Sequence, residues 1–185
     1  IRDITQFQKN IDYSKGILER SEAALKGIAD NLIRAKELSI AMSNDTYASN
    51  SREATAREIR EIIDQVVQHG NVTFNGRYVF GGFRTLTPPL NLDGEFLGDD
   101  GDLYLQVSRD DFRKVNVNAR DLFEANPHDR EKGHFGMIQT LETLYEGLKE
   151  NDKAMIHKSM NELEYQLDKT TSYQATVGGI WNAVN

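Results

Sequence analysis

The sequence has no cysteine. That excludes a disulfide framework, a thiolate zinc site and a cysteine nucleophile, and it leaves the redox compartment open. Basic charge is in deficit: 22 Lys and Arg face 29 Asp and Glu, for a formal net charge of -7. A phosphate-binding surface would have to be built against that field, so no nucleic-acid partner is expected. No apolar run approaches the roughly 18 residues that a membrane span requires, so no membrane insertion is expected either. The start of the chain shows no charged segment followed by an apolar one, the pattern of a secretion signal. Proline occurs three times, at Pro88, Pro89 and Pro127. All three fall in stretches read below as non-helical.

What the chain does have is helical period. Ile4, Phe7, Ile11, Ser14, Leu18, Ser21, Leu25, Ile28, Leu32, Ala35, Ser39 and Met42 are spaced in alternating steps of three and four, a heptad seam that Ile17, Ala24 and Leu38 broaden. The spacing predicts a helix over residues 1–42, roughly 60 Å long. Ser43-Asn44-Asp45-Thr46 interrupts it with residues that favour turns. A second helix is expected from an Asn50 cap, with Glu53 completing a capping box, to Gly70 as a left-handed stop. Its apolar stripe is Ala56, Ile59, Ile63, Val66 and Val67.

The period breaks at Asn71-Val-Thr-Phe-Asn-Gly-Arg-Tyr-Val-Phe-Gly-Gly-Phe83. Asn75-Gly76 predicts a two-residue type I′ hairpin turn, which needs positive φ at both positions. Gly81-Gly82 permits a bend or a close backbone approach. Residues 84–126 then read as a small β-rich unit. Leu103, Leu105 and Val107 alternate along one strand, Val115 and Val117 along another, and the polar turn Ser108 to Asp111 lies between them.

Asn126-Pro127 breaks the chain before helix resumes. Phe135, Ile138, Leu141, Leu144, Tyr145 and Leu148 follow at helical spacing, and Asn151-Asp152 separates them from a second seam. That seam is Ile156, Met160, Leu163, Leu167, Thr170, Gln174, Val177, Trp181 and Val184. Its polar members are read as setting register or facing another helix. The helical pattern is already running at Ile1 and still running at Asn185, as expected of a fragment of a longer protein.

The expected fold is mainly α with a small β insert. It is an elongated antiparallel helical bundle or coiled-coil rod carrying a distal β-rich subdomain at its far end. The expected division is 1–83, the N-terminal part of the helical rod with its hairpin; 84–126, the β-rich unit; and 127–185, the C-terminal part of the rod.

Convergent catalytic chemistry is missing from the sequence. Gly76 and Gly81 have phosphate-loop spacing, but Gly82-Phe83 replaces the Lys-Ser/Thr that would reach phosphate and metal. No His-Glu-x-x-His or Gly-x-Ser-x-Gly occurs. Gly98-Asp-Asp-Gly-Asp102 fits no EF-hand, because registers on Gly94 or Gly101 open with Pro89 or Phe96 instead of a carboxylate. His128, Asp129, Glu131 and His134 cluster without a second group to complete a metal site. The reading is therefore no enzyme, no metal and no cofactor, with a metal-dependent enzyme and a coiled-coil adaptor as minor alternatives.

Asn75-Gly-Arg-Tyr-Val-Phe-Gly-Gly82, with Thr85, Thr87 and Pro88-Pro89, resembles the hairpin junction of the flagellin-like family, in its hook–filament junction branch. Arg34-Ala-Lys-Glu-Leu38, Asn44-Asp-Thr46 and Arg57-Glu-Ile-Arg-Glu-Ile62 resemble that family's first helices. Val177-Gly-Gly-Ile-Trp-Asn182 resembles its C-terminal signature, keeping Gly178 and Asn182 but placing Ile180 where an arginine is common. The motif residues are thus Asn75, Gly76, Arg77, Tyr78, Phe80, Gly81, Gly82, Gly178 and Asn182. The resemblance implies a structural part of the bacterial flagellum whose mechanism is packing and assembly. It joins the hook, through hook-associated protein 1, to flagellin, alongside copies of itself. It also implies a flagellar export chaperone, export through the flagellar type III apparatus and an extracellular location. A filament subunit, flagellin itself, is the alternative.

Overall fold

The computed structural model describes residues 2–44 and 48–185. Helix α1 (Arg2–Met42) is followed by α2 (Ser49–Gly70) and by a hairpin of β1 (Thr73–Phe74) and β2 (Arg77–Tyr78). A second hairpin, β3 (Tyr104–Ser108) with β4 (Asp111–Lys114), precedes the short helices α3 (Arg120–Phe123) and α4 (Pro127–Glu131). Helices α5 (Met137–Glu150) and α6 (Lys153–Val184) complete the chain. Both sheets are two-stranded and antiparallel. The mainly helical class with a small β insert is thus observed.

Helices α1 and α6 run antiparallel. Lys36 pairs with Glu164 at 2.7 Å, and Lys153 at the start of α6 donates to the Met42 carbonyl at the end of α1. The two heptad seams meet along this line. Leu18, Leu25, Ile28 and Leu32 are buried against Ile156, Leu163 and Val177, while Leu167 and Trp181 pack on the same core with an edge in solvent. Four polar seam members bond within their own helices. The hydroxyls of Ser14, Ser21, Ser39 and Thr170 each donate to a carbonyl three or four residues earlier in their own helix. Thr170, expected to set register or face another helix, is satisfied locally because a short hydroxyl reaches its own backbone first.

Cover fades toward the start of α1. Ile11 and Phe7 are half-buried, and Ile4, though on the seam, is 71% exposed. Helix α2 lies beside α1 through the Asn31–Gln65 hydrogen bond at 2.6 Å and the Arg34–Glu58 pair at 2.7 Å. Helix α5 closes the bundle on α2, where Arg60 grips Glu142 with both terminal guanidinium nitrogens at 2.6 and 2.9 Å. Arg60 also lies over the Tyr145 ring.

Several local expectations need correction. Helix α2 begins before Asn50, with Ala48 as an N-cap that makes no side-chain bond. Asn50 is therefore inside the helix, where its short side chain does not cap the end. Gly70 is the last helical residue and is not left-handed; Asn71 follows it at φ -102°. Its reason is space, since a Cβ there would lie 2.8 Å from Leu90 and 3.0 Å from Phe123. Phe135 precedes α5 instead of opening it. The strand read around Val115 and Val117 ends at Lys114, although the Val115 amide still bonds the Leu103 carbonyl at 2.9 Å. Of the first turn, Asp45 and Thr46 lie outside the described residues; Ser43 and Asn44 form a turn and a bend.

The β insert is not at the end of the rod away from the termini. It docks on the flank of α1, where the Asn10 side chain donates to the Gln106 carbonyl at 2.7 Å. Tyr173 of α6 donates to the Asn118 carbonyl at 2.8 Å and holds the insert's other side. A unit this small lacks a core of its own and has to use that of the bundle.

Ile28→Ala, at a position with no exposed surface, is expected to lower stability by about 2–5 kcal/mol. Ile4→Ala is expected to cost less than about 0.5 kcal/mol despite its seam position. Urea unfolding of both variants measures this, and equal losses would contradict the graded cover of the seam.

Candidate functional site

The hairpin junction is built by α1 as much as by its own residues. Asn75 and Gly76 take φ of 50° and 74°, the left-handed pair that a type I′ turn needs. Phe74 pairs with Arg77 and Thr73 with Tyr78 across it. The Phe74 ring lies against Gly16 of α1 so closely that a Cβ on Gly16 would overlap it, and Tyr13 packs on the ring at 5.5 Å between centroids. Gly16 thus marks the socket of the hairpin. Its only signal in the sequence is a glycine inside a long helical pattern, a position that otherwise weakens the helix.

Beyond the hairpin the chain is tied down by its backbone. The Tyr78 amide donates to the Thr85 carbonyl at 2.8 Å, and the Arg77 guanidinium to the Thr85 hydroxyl at 3.0 Å. Gly82, at φ 66°, packs against Asp99 with no room for a Cβ. The Asp99 carboxylate accepts from the Phe83 amide at 2.7 Å and the Gly101 amide at 2.9 Å. These two backbone donors hold Asp99 below the usual carboxylate range. The acidic run that resembles a calcium loop therefore works as a loop clasp. Phe80 is buried and meets Phe123 edge-on at 6.4 Å, anchoring the junction to the core. Asn71, which the sequence reading did not single out, exchanges two hydrogen bonds with the Leu90 backbone at 2.8 and 2.9 Å.

The motif residues therefore divide. Phe80, Gly81 and Gly82 are buried, Tyr78 is half-buried, and Asn75, Gly76 and Arg77 project into solvent. Gly178 and Asn182 lie on the exposed face of α6, away from the hairpin turn.

A second polar cluster pins the α4–α5 connection to α6. His134 stacks on Tyr165 at 3.6 Å between centroids, and its Nδ1 meets Glu162 at 2.9 Å. Glu162, 8% exposed, also accepts from the Phe135 amide. Burial and the hydrogen bond to Asp129 push the Tyr165 hydroxyl up to about 12, and the same bond holds Asp129 below its ordinary range. Lys169 is half-buried beside them, and desolvation pushes its pKa down. The acids of the cluster are satisfied by their neighbours, while the Lys169 ammonium lies over the Tyr165 ring without a hydrogen-bond partner. Among the described residues no group of three or more His, Asp and Glu side chains is placed to hold a metal ion. Beside it lies an open cleft of about 410 Å³ lined by Glu95, Glu124, Arg130 and His134. No nucleophile with an adjacent base faces it, so the arrangement holds elements together and offers no catalytic constellation among the described residues.

The chain is similar to flagellar proteins in sequence and in structure. Residues 1–85 match the bacterial flagellin N-terminal helical region. The chain is 26% identical over 175 residues to flagellar hook-associated protein 3 of Salmonella typhimurium, covering 85% of this chain and 55% of that protein. It is 31% identical over 106 residues to the Escherichia coli protein of the same name, covering 56% of this chain and 33% of that one. The chain thus spans about half or less of the curated relatives it matches. In structure it is similar to Bacillus cereus FlgL, with a TM-score of 0.82 and 26% identity over 99% of this chain and 86% of that one. Bacillus cereus flagellin is less similar, at a TM-score of 0.66 and 19% identity over 96% of this chain and 85% of that one.

Gly16→Ala is expected to destabilise by about 1–3 kcal/mol through overpacking against Phe74. Combining it with Phe74→Leu should recover part of that loss, and a double-mutant cycle that shows no coupling would remove the socket. Because Asp129 has a lowered folded pKa, its stabilisation is present above the unfolded carboxylate pKa and is lost as pH falls through the folded value. Thermal melting as pH falls through the acid range should therefore drop less steeply in Asp129→Asn than in the parent.

Proposed function

We propose, from the match to the flagellin N-terminal region and the likeness to flagellar hook-associated protein 3 over most of this chain, that the protein belongs to the junction between hook and filament of the bacterial flagellum. The observation that carries the reading is the match to FlgL over 99% of the chain at a TM-score of 0.82, set against 0.66 for flagellin. On this reading the protein joins hook-associated protein 1 on one side to flagellin on the other and packs beside copies of itself. A flagellar export chaperone escorts it, and the flagellar type III apparatus carries it out of the cell. Residues 1–83 and 127–185 act as the two parts of one helical rod, with 84–126 as a small β-rich unit that shares the rod's core. No residue does covalent chemistry, and the work is done by shape.

A rigid rod suits this task. A subunit that transmits torque between two tubular assemblies has to keep its form, and the α1–α6 seam, the Arg60–Glu142 fork and the Phe74 socket each resist bending. The alternative of a filament subunit is favoured by the match of residues 1–85 and by Salmonella flagellins 29% identical over 102 residues.

Electron microscopy of cells lacking the full-length gene, with an assay for unpolymerised flagellin in the medium, separates the two. Bare hooks with shed flagellin are expected for a junction protein. Bare hooks without shed flagellin would make this chain the filament subunit, and normal filaments in a strain with no second copy would overturn both.

A further inference from the structure

Helix α6 carries a feature that nothing inside the chain explains. Gly178 and Gly179 are adjacent, six residues from its end, and an added Cβ at either would have no atom within 4 Å. Every other glycine in a helix of the bundle sits against a neighbour: Gly16 against Phe74, Gly27 against His69, Gly70 against Leu90 and Gly147 against Met155. At those four positions the missing side chain makes room. At Gly178 and Gly179 there is room for a side chain and none is present, while the helix carries the backbone freedom of two glycines in succession.

The surrounding segment has little to offset that freedom. From Thr170 to Asn185 no residue is charged, so no ion pair or i,i+4 charge pair braces these turns. Trp181 and Ile180 are only half-buried, and of the segment after the glycines only Val184 is buried. By contrast, the part of α6 before the glycines is pinned by Glu162, Gln166 and Tyr173 through hydrogen bonds to other elements.

We infer that Gly178-Gly179 is a joint: the segment Ile180–Val184 undocks from α1 as one unit while the rest of the bundle stays folded. The device stands independently of the functional assignment above. The joint lets the end of an otherwise stiff rod change direction without disturbing the core, because the opening stops at residues held by side-chain bonds.

Amide hydrogen exchange tests this directly. In the parent, the amides of Trp181–Asn185 are expected to exchange at one common opening rate, with a step to much slower exchange on the N-terminal side of Val177. In Gly178→Ala/Gly179→Ala the common rate should fall about 30-fold, the combined helix preference of two alanines over two glycines, with Leu163–Thr170 unchanged. Both methyls enter open space, so the variant adds no clash. A smooth gradient of rates inward from Asn185 would mean ordinary end fraying and would overturn the joint, as would equal slowing throughout the bundle or no slowing at all.

Discussion

The antiparallel pairing of α1 and α6 is the constraint on which the rest of the structure depends. A helix of 41 residues does not hold its form alone; it does so by burying a continuous seam against a partner of similar length. Here the seam is apolar where it matters, and its serines and threonine turn their hydroxyls back onto their own helices. Those hydroxyls therefore need no mate across the interface. Alignment comes from interlocked side chains and from end pairs such as Lys36–Glu164.

Once those two helices are set, the remaining elements are placed by glycines that admit a large side chain from elsewhere. Phe74 enters at Gly16, His69 at Gly27, and Leu90 with Phe123 at Gly70. Each such glycine weakens its own helix and strengthens a tertiary contact. That exchange favours a single packed arrangement over a family of sliding bundles. His69 shows the chemical side of it, since burial against α1 pushes its imidazole toward the neutral form.

Polar groups act here as fasteners. The Asp99 carboxylate closes the loop after the hairpin, and the Asp129, Tyr165, His134 and Glu162 cluster closes the connection into α5. Perturbed acids of this kind often mark active sites, but structural networks perturb them too. Among the described residues the carboxylates with lowered pKa, Asp99, Asp102 and Asp129, each accept hydrogen bonds from the fold itself.

The sequence by itself determined the two long helices, the type I′ turn at Asn75-Gly76, the break at Asn126-Pro127 and the β character of the insert. Each is a local matter of period, backbone sterics or turn chemistry, and is written in neighbouring residues. The hairpin residues lie within residues 1–85, the stretch that matches the bacterial flagellin N-terminal helical region. Only the tertiary structure decided that Gly16 is a socket, that Gly70 makes room instead of stopping a helix, and that Asn71 holds Leu90. It alone decided that the β unit sits on the flank of α1 and that the seam is bare at Ile4. A glycine reads the same in sequence whether it frees a backbone angle, admits a ring or faces open solvent, because the difference lies in atoms contributed by residues tens of positions away.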